Sequence, residues 1–175
     1  ARITGARARN LNPIITAPEG ERRLEFGWWW LHIDDRPAPF SAFNSRGERL
    51  NTTWRAAFQR RGLLPANWYI EKGVRFALPD RTPFTLAAIT HRFIAADGQE
   101  LISYSLVTRE ALGAARATHP RMPLIVPQSM RDRWLDPNRP GDDDLADEAL
   151  AASEDPGRAV TPIDAPSSSR SPRLF

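Results

Sequence analysis

Short apolar runs punctuated by turn residues dominate the chain, a pattern that predicts strands. Residues 11–17 form the first such run and end at the Pro18-Glu19-Gly20 turn. Residues 22–30 alternate charge and bulk, then become wholly aromatic at Trp28-Trp29-Trp30, as a strand does on entering a core. Further strands are predicted over 63–70, 74–78, 84–93 and 101–107, separated by Gly73, Pro79-Asp80 and Asp97-Gly98. Residues 34–41 carry two prolines and read as a surface loop.

Helical signals are fewer and shorter. Thr52 or Thr53 is placed to cap a helix whose Trp54, Ala57 and Phe58 share one face. Arg55, Gln59 and Arg60 fall elsewhere on it, and Gly62 reads as its stop. Residues 110–117 and 129–135 predict two more short helices, with a buried strand between them at 124–126. From Pro137 the composition shifts: PNRPGDDD reads as a loop, 145–152 as an acidic helix, and 164–175 as a Pro/Ser-rich tail expected to be disordered. Many strands with a few short helices predict an α+β fold, its mostly antiparallel sheet curled into a barrel-like core. The expected organisation is a domain over residues 1–137, to which 138–163 adds an acidic helix and a last strand, followed by the tail.

A chain of 175 residues has room for one domain with a core of its own. No apolar run approaches the ~20 residues that span a bilayer, and no charged-then-apolar leader opens the sequence. No membrane association is expected, and a cytoplasmic location is. The sequence contains no cysteine, which excludes disulfides and thiolate metal sites built from it. His32 and His91 lack partners at ligand spacing, so neither a metal nor a cofactor is expected.

The net charge of +3 conceals an asymmetry. Residues 1–139 hold 21 Arg and Lys against 13 Asp and Glu, and residues 140–175 hold 3 against 8. A basic body draws polyanions by long-range steering and phosphate neutralisation. All but Lys72 of that positive charge is arginine, which suits bidentate phosphate contacts and stacking on bases. A GC-rich genome produces the same bias.

Four features carry candidate chemistry. Glu71 closes the apolar run Trp68-Tyr69-Ile70, where partial desolvation would raise its pKa for acid–base work. The plainer reading, favoured by local sequence, is a strand-end carboxylate in water beside Lys72. His119 stands between a helix and a strand, as a proton shuttle does, although a satisfied loop histidine fits as well. Asn44 and Arg46, two apart on an extended segment, point the same way and suit a sugar–phosphate. Trp28-Trp29-Trp30 is either a stacking platform for unpaired bases or core.

Taken in order, these segments resemble the SOS response-associated peptidase (SRAP) family, whose members bond covalently to abasic sites in single-stranded DNA. Asn10-Leu11-Asn12-Pro13 is similar to the family's Y-N-x-A-P, Phe26-Gly27-Trp28 to W-G-L, and Asn44-Ser45-Arg46 to N-A-R. WRAAFQRR at 54–61 resembles F-R-x-A-F-x-x-R-R, and PANWYIE at 65–71 resembles P-A-D-G-F-Y-E with the glutamate at the same offset. FTLAAI at 84–89 is similar to F-x-x-A-G/A-[IL], Thr108 falls in the place of T-T-x-A, and HPRMP at 119–123 resembles H-D-R-M-P. The resemblance runs from about Asn10 to about Leu135 and extends to 160–163.

What the resemblance implies is specific. Asn44 would hold the N-terminal amine and the opened sugar, and Arg46 the flanking phosphate. Glu71 would assist proton transfer, and His119 ring opening and the Schiff-base step. Trp28, Trp29 and Arg121 would add DNA contacts. The partner would be single-stranded DNA with abasic sites, met by a monomer in the cytoplasm, nucleoid-associated when bound. The family name also implies peptidase action on the protein's own N-terminus. Family members use an N-terminal cysteine to close a thiazolidine on the abasic aldehyde, and this sequence has none. Three readings stay open: a remnant start at Ala1-Arg2-Ile3, a fragment beginning inside the domain, or a relative without covalent chemistry. The last would be a non-catalytic DNA-binding or protein-interaction module, so enzymatic activity stays open too. Asn67 and Trp68 depart from the family's acidic residue and glycine, and Trp68 is expected to alter close approach.

Overall fold

The computed structural model of the protein describes residues 10–163. Its centre is a closed five-stranded barrel. The strands are β1 (Leu11–Thr16), β2 (Arg23–Trp29), β6 (Arg61–Ala66), β9 (Phe84–Ile94) and β10 (Glu100–Glu110). Antiparallel pairing links β2 to β1, β1 to β6, β6 to β9 and β9 to β10, and a parallel pairing of β10 with β2 closes the ring. The expected curled, mostly antiparallel sheet is therefore present.

Shorter elements decorate the barrel. In chain order they are the strands β3 (His32–Ile33), β4 (Arg36–Pro37), β5 (Asn44–Arg46), β7 (Tyr69–Glu71), β8 (Val74–Ala77), β11 (Arg121–Pro123), β12 (Ile125–Val126) and β13 (Thr161–Ile163). The helices are α1 (Arg55–Phe58), α2 (Gln128–Leu135), α3 (Asp143–Ala152) and α4 (Glu154–Ala159). Ile14, Ala88 and Tyr104 fill the barrel, while Phe58, Leu63, Trp134 and Leu145 belong to a larger core cluster.

Several predicted boundaries move for identifiable reasons. The run 63–70 is two strands, not one. β6 follows β9 as far as Ala66 opposite Phe84, where β9 begins, so the chain loses its partner and turns at Asn67-Trp68 into the β7–β8 hairpin. The predicted helix at Thr52 shrinks to the four residues of α1. Trp54 is its N-cap and makes no side-chain cap, while the Thr52 hydroxyl donates to the Arg49 carbonyl at 3.3 Å. Gly62 is not a helix stop but an interior residue of β6, where a Cβ would lie 2.7 Å from Ile14 Cδ1. The loop predicted at 34–41 contains β4, which pairs with β3, and Ala38 within it is buried. The predicted 110–117 helix is a 3-10 turn over Gly113–Ala117, because β10 runs on to Glu110. The tail at 164–175 lies outside the described residues.

The acidic segment after Pro137 packs against the body. Asp142 caps α3 by accepting from the Leu145 amide at 3.0 Å, and Asp143 and Asp144 in its first turn suit the helix dipole. Leu145, Ala146 and Ala149 join the core, and β13 pairs with β8.

His32 introduces a pH dependence. Its ring is buried and stacked on Phe93 with centroids 4.0 Å apart. Burial lowers the imidazole pKa from its ordinary 6.5, the Trp30 carbonyl opposes this, and the charge of His91 adds to it. The unfolded chain therefore takes up this proton more readily than the folded one. Stability is unaffected by this group above about pH 6.5 and is lost as the pH falls through that value. Melting curves between pH 7.5 and 5 are expected to show a shallower decline for His32→Phe than for the wild type.

Candidate functional site

A cleft of about 570 Å³ opens beside the barrel, a size ordinary for a small-ligand site. Its lining includes the buried or half-buried apolar residues Leu64, Leu86, Leu106 and Met122. The lining also includes the polar or charged Asn44, Arg46, Glu71, His119 and Arg121 and the apolar Pro13, Pro65, Trp68 and Ile70.

β5 places Asn44 and Arg46. It pairs in parallel with β10, setting Asn44 opposite Leu106 and Arg46 opposite Thr108. Strand alternation buries Ser45 and leaves the two flanking side chains exposed on the cleft side, as their spacing predicts. Neither side chain makes a hydrogen bond or ion pair among the described residues. Glu71 is the last residue of β7, half-buried, and its carboxylate is likewise unengaged by hydrogen bonds among the described residues. The two-residue turn after it, Lys72-Gly73, has positive φ at both positions, the geometry of a tight hairpin. Lys72 is exposed and does not line the cleft.

His119 is half-buried and held through Nδ1. The Arg121 amide donates to it at 3.1 Å, and the Arg121 carbonyl lies 3.0 Å from the same nitrogen. Nδ1 accepts from the amide when it is bare and donates to the carbonyl when it carries the proton, so the tautomer sets which contact is the hydrogen bond.

Arg121 is engaged elsewhere. Its guanidinium grips both carboxylate oxygens of Glu48, at 2.7 and 3.0 Å, and donates to the Thr108 carbonyl at 2.7 Å. Burial disfavours the Glu48 charge, but the Arg121 hydrogen bond, the backbone and the charges of Arg121 and Arg46 outweigh it, holding the carboxyl below its ordinary value. Arg121 therefore positions the His119 segment in this structure. Glu48 is the participant that sequence reading missed, since nothing local ties it to a residue 73 positions away.

The tryptophans divide. Trp29 reaches the cleft, with its indole N–H donating to the Phe43 carbonyl at 2.8 Å and its ring stacked on Tyr104. Burial pushes the Tyr104 hydroxyl well above its ordinary pKa, against an opposing hydrogen bond from Asn12. Trp28 faces the other way, edge-on to His32 and against Phe93, and does not join the cleft. Residues 137–163 contribute nothing to the cleft lining, so the acidic segment does not cover it. Among the described residues no cluster of three His, Cys, Asp or Glu side chains is placed to hold a metal, and no helix is long and apolar enough to cross a membrane.

The match that fits this cleft is to the model of the SOS response associated peptidase (SRAP) family, which covers residues 6–165. The chain belongs to that family, and with it to proteins associated with the response to DNA damage. Its fold is shared with a protein from Bordetella bronchiseptica at 23% identity and TM-score 0.70, covering 90% of this chain and 85% of that one. A phage-related protein from the same organism is similar at 20% identity and TM-score 0.67, over 90% and 79% of the two chains. A protein from Bacteroides thetaiotaomicron aligns at 20% identity and TM-score 0.60, over 81% and 68%. None of the curated proteins matches this sequence.

Proposed function

We propose that this chain recognises single-stranded DNA at a sugar that has lost its base. The observation that supports the reading best is the convergence of Asn44, Glu71 and His119 on one cleft, with the uncommitted guanidinium of Arg46 beside them. Arg46 takes a flanking phosphate, and the Asn44 amide holds the opened sugar by its hydroxyl or aldehyde oxygen. His119 delivers a proton to the ring oxygen as the sugar opens, and Glu71 moves protons at the aldehyde carbon. The protein acts as a monomer in the cytoplasm, on the nucleoid when bound.

Covalent capture requires a primary amine to condense with the aldehyde, expelling water and leaving an imine. A neighbouring thiol would close that imine into a stable ring, and the sequence contains no cysteine to supply one. In a second reading the cleft, with its uncommitted Arg46 guanidinium, binds the damaged strand without bonding to it.

A gel assay with an oligonucleotide carrying one abasic site, with and without borohydride, tests both readings. If an amine performs the first step, a band resistant to denaturant forms only with borohydride, and Glu71→Gln and His119→Ala reduce it at least ten-fold, as loss of proton transfer requires. Binding without any trapped band identifies the non-covalent groove. Failure to bind the oligonucleotide overturns both.

A further inference from the structure

We infer that Trp68, backed by Arg75, is a stacking lip for an unpaired nucleobase beside the base-free sugar, an assignment that rests on the single-stranded DNA reading above. Trp68 lines the cleft while 40% of it remains exposed, and Ile70, which also lines it, is 51% exposed. Two large, partly exposed apolar side chains lining one cleft form a patch of the kind that marks a binding groove.

The ring is already braced. The Arg75 guanidinium lies over it, 4.7 Å from the ring centroid, a cation–π contact. Trp68 lines the cleft and Arg75 does not. The hairpin beneath is stiff. Arg75 pairs with Ile70 across β7 and β8, the Lys72-Gly73 turn is tight, and Tyr69 stacks on the fully buried Phe76 at 5.2 Å. A preset aromatic surface loses little freedom on binding.

The mixed lining decides what the occupant is. Asn44, Arg46, His119 and Arg121 are polar or cationic, Glu71 is acidic, and Trp68, Ile70, Pro65 and Pro13 are apolar. A ligand matched to this lining carries a flat apolar ring for Trp68 and an anionic backbone for Arg46. An unpaired nucleotide has that division, and stacking on a tryptophan face tolerates any base.

The test measures affinity of Trp68→Ala, Trp68→Phe and Arg75→Gln for two single-stranded oligonucleotides. Both carry a stable abasic analogue. In the second, the bases flanking the analogue are removed as well. On the first, Trp68→Ala is expected to bind about ten-fold more weakly, Trp68→Phe to recover most of that, and Arg75→Gln to lose a few-fold. On the second, the variants and the wild type are expected to bind alike, because no base remains to stack. Equal losses on both oligonucleotides would overturn the proposal by making Trp68 a structural residue. No loss on either, with Arg46→Ala still weakening binding, would overturn it and leave the DNA reading intact. No binding by the wild type removes both at once. Melting temperatures near wild type for the exposed-lip variants exclude misfolding as the cause.

Discussion

Arg61→Ala is expected to lower the melting temperature by roughly 10 °C, from a loss of about 3–5 kcal/mol. The side chain is 6% exposed and spends its donors on backbone carbonyls from separate segments. Nε donates to Trp134 at 2.6 Å, Nη1 to Phe58 at 2.9 Å, and Nη2 to Asp136 at 2.6 Å and Arg139 at 2.7 Å. The guanidinium thus ties the ends of α1 and α2 to the loop that leads into α3. Burial pushes its pKa down to about 10, against the attraction of Asp136, so it is still charged at neutral pH. Removing it strands buried carbonyls arranged around a cation and opens a cavity beside Phe58. Arg61→Lys is expected to recover less than half of the loss, because three donors on a flexible stem cannot reproduce the planar fork. Thermal melts of the three proteins at one pH check the order. A lysine variant as stable as wild type would show that charge, not the fork, holds these ends together.

That role was not visible in the sequence, where Arg61 closes what reads as a helix with an arginine-rich surface. Its burial depends on α2 and on the loop after it, more than 70 residues away. The same separation explains the other misses. Where β6 breaks is fixed by where β9 begins, and the Glu48–Arg121 pair joins segments with no shared pattern. Three consecutive tryptophans give no alternation from which to choose a face. The pairing of Trp29 with Tyr104 across the parallel β2–β10 contact chooses it. Local rules did carry what depends on neighbours alone. The two-residue period of Asn44 and Arg46 is one case, the delivery of Glu71 at the end of an apolar run is another, and the long buried stretches of β9 and β10 are a third.

Arg46 and Arg121 both face the cleft, yet opposite results are expected from their removal. Arg46 makes no hydrogen bond or ion pair among the described residues, so Arg46→Ala should leave the melting temperature near wild type. It should weaken binding to any single-stranded sequence and reduce the slope of log K against log salt by about 0.7, as expected when one phosphate is no longer neutralised. Arg121 is committed to Glu48 and to the Thr108 carbonyl. Arg121→Ala should therefore cost about 2 kcal/mol of stability and disturb the segment that holds His119, while the salt slope stays almost unchanged. Glu48→Gln separates the two effects. It weakens the hold on Arg121 without cutting its bond to Thr108, leaving that guanidinium free to meet a second phosphate. The salt slope of Glu48→Gln should then be steeper than wild type by up to about 0.7, and affinity at low salt should rise. Binding titrations at several salt concentrations read all three. A slope that falls equally for Arg46→Ala and Arg121→Ala would mean that Glu48 yields to phosphate unaided, and that both arginines grip the strand.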